Sequence, residues 1–146
     1  MRKLLIAIAA LACLISSQSF AADPIPVSDP EKFANKVIEE LGRNGSSAVA
    51  DRITRQVGRP EGAGDMRKFL QFFDNKKFDY SRKVIDHDYG GALRQIVIYS
   101  YVKAEQNSGF MYFRFNYKMS SAGWILANFA FKDETNELFP KDWLDR

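Results

Sequence analysis

Cysteine and histidine are nearly absent from this sequence of 146 residues, which contains one of each, Cys13 and His87. Because Cys13 lies in an apolar run near the N-terminus, the rest of the chain has no thiol for a disulfide, a nucleophile or a metal site. A serine hydrolase would have His87 as its one candidate base, and the sequence has no Gly-x-Ser-x-Gly turn to present the serine. The sequence therefore weighs against serine and thiol chemistry, and we expect no cofactor and no metal.

A strong excess of charge of either sign is also missing. The chain has 21 Lys and Arg residues and 18 Asp and Glu residues. Arg2 and Lys3 lie in a leader without acidic residues, so the other 125 residues carry 19 basic and 18 acidic side chains. Binding to nucleic-acid phosphates needs a concentrated basic surface, so we expect no nucleic-acid partner. A hydrophobic content of 46% excludes a disordered chain.

The first 21 residues have the composition of a secretory signal peptide. Arg2 and Lys3 form a short cationic start, and residues 4–15 are an apolar run. Ser19 and Ala21 supply small residues at the two positions that a signal peptidase reads. We therefore predict cleavage after Ala21.

Two other interpretations of this leader are weaker. The apolar run has 12 residues, fewer than the roughly 20 that a membrane-spanning helix needs. A lipoprotein modified at Cys13 would shorten the run further. We predict a signal peptide over residues 1–21, a single domain over residues 22–146, and no transmembrane segment after cleavage. The absence of cysteine from that domain favours a bacterial periplasm, with secretion as the alternative.

The mature domain begins with helical patterns. Asp29, or Ser28 before it, can cap a first helix that ends at Gly42. A second helix is predicted from Ser46, or the serine after it, to Gly58. The apolar positions at helical spacing in these two segments are Phe33, Ala34, Val37, Ile38, Leu41, Val49, Ala50, Ile53 and Val57.

A loop and a short third helix come next. Residues 58–64 are rich in glycine and contain Pro60, which predicts a loop. A helix is predicted after Asp65. Its apolar positions are Met66, Phe69, Leu70 and Phe73.

The second half of the chain has the pattern of strands. The predicted strands cover residues 78–88, 92–104, 110–119 and 124–132. Short connections join antiparallel neighbours, so we predict a four-stranded meander. The tail, residues 134–146, is predicted to form a last turn after Pro140 that docks Leu138, Phe139 and Trp143.

This meander is apolar on both faces. In the third strand Met111, Phe113, Phe115, Tyr117 and Met119 alternate with Phe110, Tyr112, Arg114, Asn116 and Lys118. In the second strand Ile96, Ile98 and Val102 lie opposite Leu93, Val97, Tyr99 and Tyr101. In the fourth, Ile125, Phe129 and Phe131 lie opposite Trp124 and Leu126. A sheet with one solvated face alternates more cleanly, so the second face must meet a partner subunit, a ligand or its own curled edge.

The element order, and the stretch Gly123-Trp124-Ile125-Leu126-Ala127-Asn128-Phe129-Ala130-Phe131, resemble small exported members of the nuclear transport factor 2-like (cystatin-like) superfold. The resemblance implies an α+β domain with two to three N-terminal helices packed on a curved four-stranded antiparallel meander, forming a cone. It also implies a cone mouth that can hold a small molecule, and pairing of two copies through the outer sheet face. The superfold includes isomerases, dehydratases, carriers and scaffold subunits, so the fold does not determine the function.

The resemblance transfers no catalytic residue. Isomerase-like members have a tyrosine on an early helix, whereas all six tyrosines here lie in the meander. Polar and tyrosine side chains within apolar strands are the candidates for orienting a ligand. They are Tyr99, Tyr101, Arg94, Arg114, Asn116 and Asn128.

The triplet Asp86-His87-Asp88 superficially resembles a metal or acid–base cluster. Successive side chains of a strand point to opposite faces, so His87 is directed away from the two aspartates. We interpret the triplet as a solvated strand end.

The sequence therefore favours a periplasmic, non-enzymatic binding or accessory protein that forms a homodimer through the sheet face. In this interpretation the sheet concavity holds a small apolar ligand or a protein partner. One alternative is a small isomerase- or dehydratase-like enzyme with a carboxylate in its pocket. A second alternative is a structural subunit of an envelope or secretion assembly.

Overall fold

Three helices followed by four antiparallel strands make up the part of the chain that this computed structural model describes, residues 22–104 and 108–133. The helices are α1 (Pro30–Asn44), α2 (Ser46–Gln56) and α3 (Ala63–Leu70), with short 3-10 helices at Pro60–Gly62 and Gln71–Phe73. The strands are β1 (Lys77–Tyr89), β2 (Leu93–Lys103), β3 (Gly109–Ser120) and β4 (Gly123–Lys132). This arrangement confirms the predicted α+β class. The predicted leader over residues 1–21 and the predicted turn with Leu138, Phe139 and Trp143 lie outside the described residues.

Helix α1 begins at the predicted cap. The Asp29 backbone is extended, and its Oδ1 accepts a hydrogen bond from the Lys32 N–H at 3.0 Å. Asp29 thereby satisfies one of the N–H groups that a first helical turn leaves without a partner. The helix continues two residues past Gly42 and ends at Asn44, before Gly45 with its positive φ of 71°. Its buried stripe is Ala34, Val37, Ile38 and Leu41.

A contact distant in sequence fixes the start of α2. Asp74 accepts hydrogen bonds from the Ser46 N–H at 2.7 Å and from the Ser46 hydroxyl at 3.0 Å. Gly45, at the cap position, has no side chain for this purpose, so the Asp74 carboxylate acts as the cap. A Cβ on Gly45 would lie 2.6 Å from the Asp74 Oδ1, and the φ of 71° would strain any other residue, so both constraints favour glycine.

Helix α3 begins earlier than the sequence predicts. The predicted loop over residues 58–64 is wrong in part, because Pro60–Gly62 forms a 3-10 turn and α3 starts at Ala63. Proline holds φ near its helical value, so Pro60 can start a helical turn among glycines.

The apolar residues of this segment are divided between core and surface. Leu70 and Phe73 are fully buried, and Met66 packs against the core. Phe69, which shares their helical spacing, is 48% exposed. Its ring contacts that of Phe131, with 4.5 Å between centroids, at the rim of the core.

The sheet has the predicted meander topology. The strands pair antiparallel in the order β1-β2-β3-β4. Gly90 and Gly91 lie in the β1–β2 turn, with φ values of 65° and 73°. Positive φ at consecutive residues suits a tight turn between right-twisted strands, and glycine adopts it without strain.

The helices cover one face of the sheet, which we call the inner face, and leave the opposite, outer face uncovered among the described residues. On the inner face Ile96 pairs with Phe115 and Ile98 pairs with Phe113, and all four are buried. The predicted separation of faces in β2 and β3 is confirmed.

Tyr117 connects the inner face to α1. Its side chain is buried, and its hydroxyl donates to the Pro30 carbonyl oxygen at 2.9 Å. Burial raises the pKa of the Tyr117 hydroxyl well above its usual range. This buried tyrosine is therefore a satisfied structural group.

The predicted faces of β4 are wrong, because a bulge interrupts its alternation. Asn128 pairs with Asn116, but the next pair along the sheet joins Leu126 to Tyr117, which leaves Ala127 as the extra residue. Trp124 and Leu126 consequently share the inner face with Phe129 and Phe131, and Ile125 does not.

Strand β1 contains two similar irregularities. Its register against β2 shifts between Phe78 and Tyr80 and between Lys83 and Ile85, so Asp79 and Val84 are the extra residues. Bulges bend a strand and increase its twist, which favours a sheet that curves around the helices.

Candidate functional site

The centre of the inner face is filled by the hydrophobic core. Phe113, Phe115 and Ile98 are at most 1% exposed, and Val49 and Ile53 of α2 are equally buried. The concavity that the sequence suggested for a ligand is therefore packed at its centre.

Arg94, one of the six candidate ligand residues, lies on this inner face in an ion-pair network. It donates from Nε to Asp86 Oδ1 at 2.8 Å and from Nη2 to Asp86 Oδ2 at 2.9 Å. Lys83 donates to the same Oδ2 at 2.8 Å and lies 2.7 Å from a carboxylate oxygen of Glu31 in α1. Hydrogen bonds from Arg94 and then Lys83 lower the pKa of the Asp86 carboxyl to about 2. This bidentate pair makes Arg94 a link between β1 and β2.

The triplet Asp86-His87-Asp88 fits the predicted solvated strand end only in part, because Asp86 is 22% exposed and belongs to the ion-pair network. Asp88 accepts a hydrogen bond at 2.6 Å from the Gly91 N–H in the following turn. His87 lies on the outer face, with its ring centroid 4.2 Å from that of Tyr89. Within residues 22–104 and 108–133, no three His, Cys, Asp or Glu side chains are grouped as a metal site would require.

A groove with a largely apolar lining runs between α2, α3 and β4. Its volume is about 580 Å³, within the range of small-molecule sites. The apolar side chains that line it include Ile53, Val57, Met66, Phe69, Ile125 and Phe129. The groove exists because α3 is short and β4 is an edge strand, so neither element covers the other completely.

Three charged residues border this groove. Arg59 follows α2, Lys118 belongs to β3, and Asp65 belongs to α3. The Asp65 carboxylate is 93% exposed and lies 3.8 Å from the Lys68 ammonium. In the described part of the chain, no carboxylate lies within ion-pair distance of Arg59 or Lys118. The groove is therefore apolar with a cationic border.

The outer face carries a cluster of aromatic rings, which we call the outer aromatic cluster. Its members are Tyr80, Tyr99, Tyr101, Phe110 and Tyr112. Tyr99 is at the centre, stacked on Phe110 at 5.0 Å and edge-to-face with Tyr112 at 5.3 Å. Phe110 is 50% exposed. Such a contiguous exposed apolar patch is typical of an interaction surface.

The structure separates the sequence-derived candidates into three places. Tyr99 and Tyr101 belong to the outer aromatic cluster. Arg114 lies on the same outer face, and its buried Nε has no hydrogen-bond partner. Arg94, Asn116 and Asn128 line a smaller recess of about 340 Å³ at the Gly90–Gly91 end of the sheet, where Gln95 donates to Asn116 at 3.1 Å.

Of the six candidates, Asn128 also lines the groove. The sequence did not reveal the other groove residues, because Met66 and Phe69 have the spacing of core positions in a helix. Ile125 looked like an inner-face residue until the bulge at Ala127 was known. The available signal was that the last predicted strand lies at an edge of the meander and that the predicted third helix is too short to cover it.

Comparisons with known proteins identify no family for this chain. No protein-family profile and no curated protein matches the sequence. Among solved structures, the chain is similar to Rd1NTF2_05, a designed nuclear transport factor 2-like protein. The similarity has 13% identity and a TM-score of 0.40, and it covers 71% of this chain and 100% of that one. Three helices on a four-stranded antiparallel sheet are consistent with that fold. No described helix is long and apolar enough to cross a membrane.

Proposed function

We propose that this protein is an exported, non-enzymatic binding or accessory protein, and that the groove between α2, α3 and β4 holds a small apolar ligand. The observation that supports the proposal is an apolar-lined opening of about 580 Å³ beside a fully packed core. Ligand sites of this kind are mostly apolar and carry a few polar groups that orient the ligand. Asn128 and Thr54 are such groups here, although the Thr54 hydroxyl already donates to the Ala50 carbonyl at 2.9 Å.

The helical wall of the groove is held in place before any ligand arrives. Arg52 of α2 donates from Nε and Nη2 to the two carboxylate oxygens of Glu40 in α1, both at 2.7 Å. This part-buried bidentate pair fixes α2 against α1. A rigid wall reduces the entropy lost on binding.

The enzyme alternative has less support from the groove. An isomerase- or dehydratase-like reaction needs a carboxylate base whose proton affinity is raised by burial. Asp65 is the acidic residue that borders the groove, and at 93% exposure it is solvated. A binding role therefore accounts better for these residues.

Native mass spectrometry tests export and binding together. The full sequence is expressed in a bacterium and the protein is purified gently from the periplasmic fraction. We expect a chain that begins at Ala22 and carries an additional mass of a few hundred daltons, because a pocket of this size holds a molecule of that class. The Ile125→Trp variant, which fills the groove, should lose that mass, and the matched Val84→Trp variant on the distant strand β1 should keep it. A cytoplasmic, uncleaved chain would contradict export, and equal ligand retention in both variants would contradict the groove.

A homodimer through the outer face is a second proposal. The outer aromatic cluster supports it, because exposed aromatic side chains are enriched at protein interfaces. The unpartnered Nε of Arg114 would gain an acceptor from the second copy. A subunit of an envelope assembly is the rival occupant of this face.

A further inference from the structure

The groove residues also indicate the chemistry of the ligand. We propose that the groove binds an amphipathic anion, a molecule with an apolar body and one negatively charged head group. This inference rests on the proposed ligand-binding role of the groove and specifies what the ligand is.

Charge complementarity is the first argument. Arg59 and Lys118 approach the groove from different walls, one from the loop after α2 and the other from the sheet. Several cations elsewhere on the molecule are neutralised by acidic partners, for example Arg52 by Glu40 at 2.7 Å and Lys83 by Glu31 at 2.7 Å. Among the described residues, no such carboxylate partner accompanies Arg59 or Lys118. Two cations beside apolar surface favour an anionic ligand over a neutral one.

The position of the one acidic group is the second argument. Asp65 borders the groove, but its carboxylate points into solvent and lies 3.8 Å from the Lys68 ammonium. The positive charge of Lys68 offsets part of the repulsion between Asp65 and an anionic ligand. The net charge at the border is therefore positive, while the lining between Ile53, Met66 and Phe129 is apolar. An anionic head group would contact the positively charged border, and an apolar chain would contact the lining.

Binding of three ten-carbon probes tests the inference. Decanoate, decanol and decyltrimethylammonium share an apolar chain and differ in head-group charge. We expect decanoate to bind the mature protein at least about tenfold more tightly than decanol, by isothermal titration, with a difference that shrinks in high salt. The cationic probe should bind most weakly.

Variants then assign the effect to the border residues. Arg59→Gln and Lys118→Gln should each weaken decanoate binding about threefold to tenfold and leave decanol binding unchanged. Asp65→Asn should strengthen decanoate binding, and Lys36→Gln, which removes an exposed lysine outside the groove, should change neither probe. Equal binding of decanoate and decanol would overturn the anion inference while leaving the groove as a ligand site. Failure of all three probes to bind would overturn the ligand-binding proposal itself.

Discussion

At the residue scale, Asp86 accepts the hydrogen bonds of an ion-pair network that connects three elements of the fold. It is 22% exposed and accepts hydrogen bonds from Arg94 and Lys83, and so joins β1 to β2 and, through Glu31, to α1. Arg94, followed by Lys83, lowers the pKa of the Asp86 carboxyl from 3.8 to about 2. A carboxyl whose pKa falls on folding stabilises the protein above its unfolded pKa.

We predict that Asp86→Asn lowers the free energy of unfolding by about 1 kcal/mol at pH 7, a value reduced for the partial exposure of the pair. The wild-type advantage should be present above about pH 4 and should disappear as the pH falls from 4 to 2, because the folded carboxyl is protonated near pH 2. Urea denaturation of the wild type and of Asp86→Asn across this pH range measures the difference in their free energies of unfolding. Asp79→Asn is the control, since Asp79 is more exposed and lies 3.3 Å from Lys103 in a single pair. A wild-type advantage that is constant from pH 7 to pH 2 would contradict the assignment.

Local residue chemistry was predictable from the sequence, and distant chemistry was not. The Asp29 cap follows from residues within one turn, and the structure confirms it. The Asp74 contact with Ser46 spans 28 positions, and no local rule pairs those residues. Arg94 was predicted to orient a ligand, and its pairing with Asp86 was not predictable, because it depends on the strand register, which one sequence does not determine.

At the element scale, the bulge at Ala127 decides which side chains of β4 reach the core. Leu126 is 1% exposed and Trp124 packs against the core cluster. Strict alternation places Trp124 and Leu126 on the opposite face from Phe129 and Phe131. The sequence prediction failed here because the period of two assumes an uninterrupted ladder, and a bulge shifts the phase by one residue.

Deletion of Ala127 should therefore destabilise the protein far more than a substitution there. Removing the extra residue forces either Trp124 and Leu126 or Phe129 and Phe131 out of the core. Exposing two large apolar side chains costs roughly 3–6 kcal/mol, so we expect the deletion variant to unfold at a much lower urea concentration or to be unfolded in buffer. Ala127→Ser keeps the chain length and should lose less than about 0.5 kcal/mol. A deletion variant as stable as this control would show that the bulge is dispensable.

At the scale of the whole molecule, the sheet separates two surfaces with different apolar features. Its inner face is covered by the helices and leaves the groove at the β4 edge, whereas its outer face carries the outer aromatic cluster. The two-sided apolar pattern of β2 and β3 was visible in the sequence. The sequence did not show whether helices of the same chain would cover both faces, because that depends on where the three helices pack on a curved sheet.

The outer face has dimensions close to those that a stable dimer needs. Four strands at about 4.8 Å spacing and about ten residues at 3.3 Å each give a face of roughly 19 Å by 33 Å, on the order of 600 Å² before side-chain relief is counted. A standard interface buries about 800 Å² on each partner. Tyr99 and Phe110, near the middle of the outer aromatic cluster, would then be its energetic centre.

We predict that Phe110→Asp converts a dimer into a monomer, because it places a desolvated charge within the outer aromatic cluster of each copy. Light scattering of the mature protein should give twice the mass of one chain, and the variant should give that of a single chain. Phe72→Asp is the matched control. Phe72 is also 50% exposed but lies in the 3-10 turn after α3, where the Lys76 ammonium is 3.3 Å from its ring centroid. Monomeric wild-type protein would refute the homodimer and leave the outer face to a different protein, which Phe110→Asp should then also release.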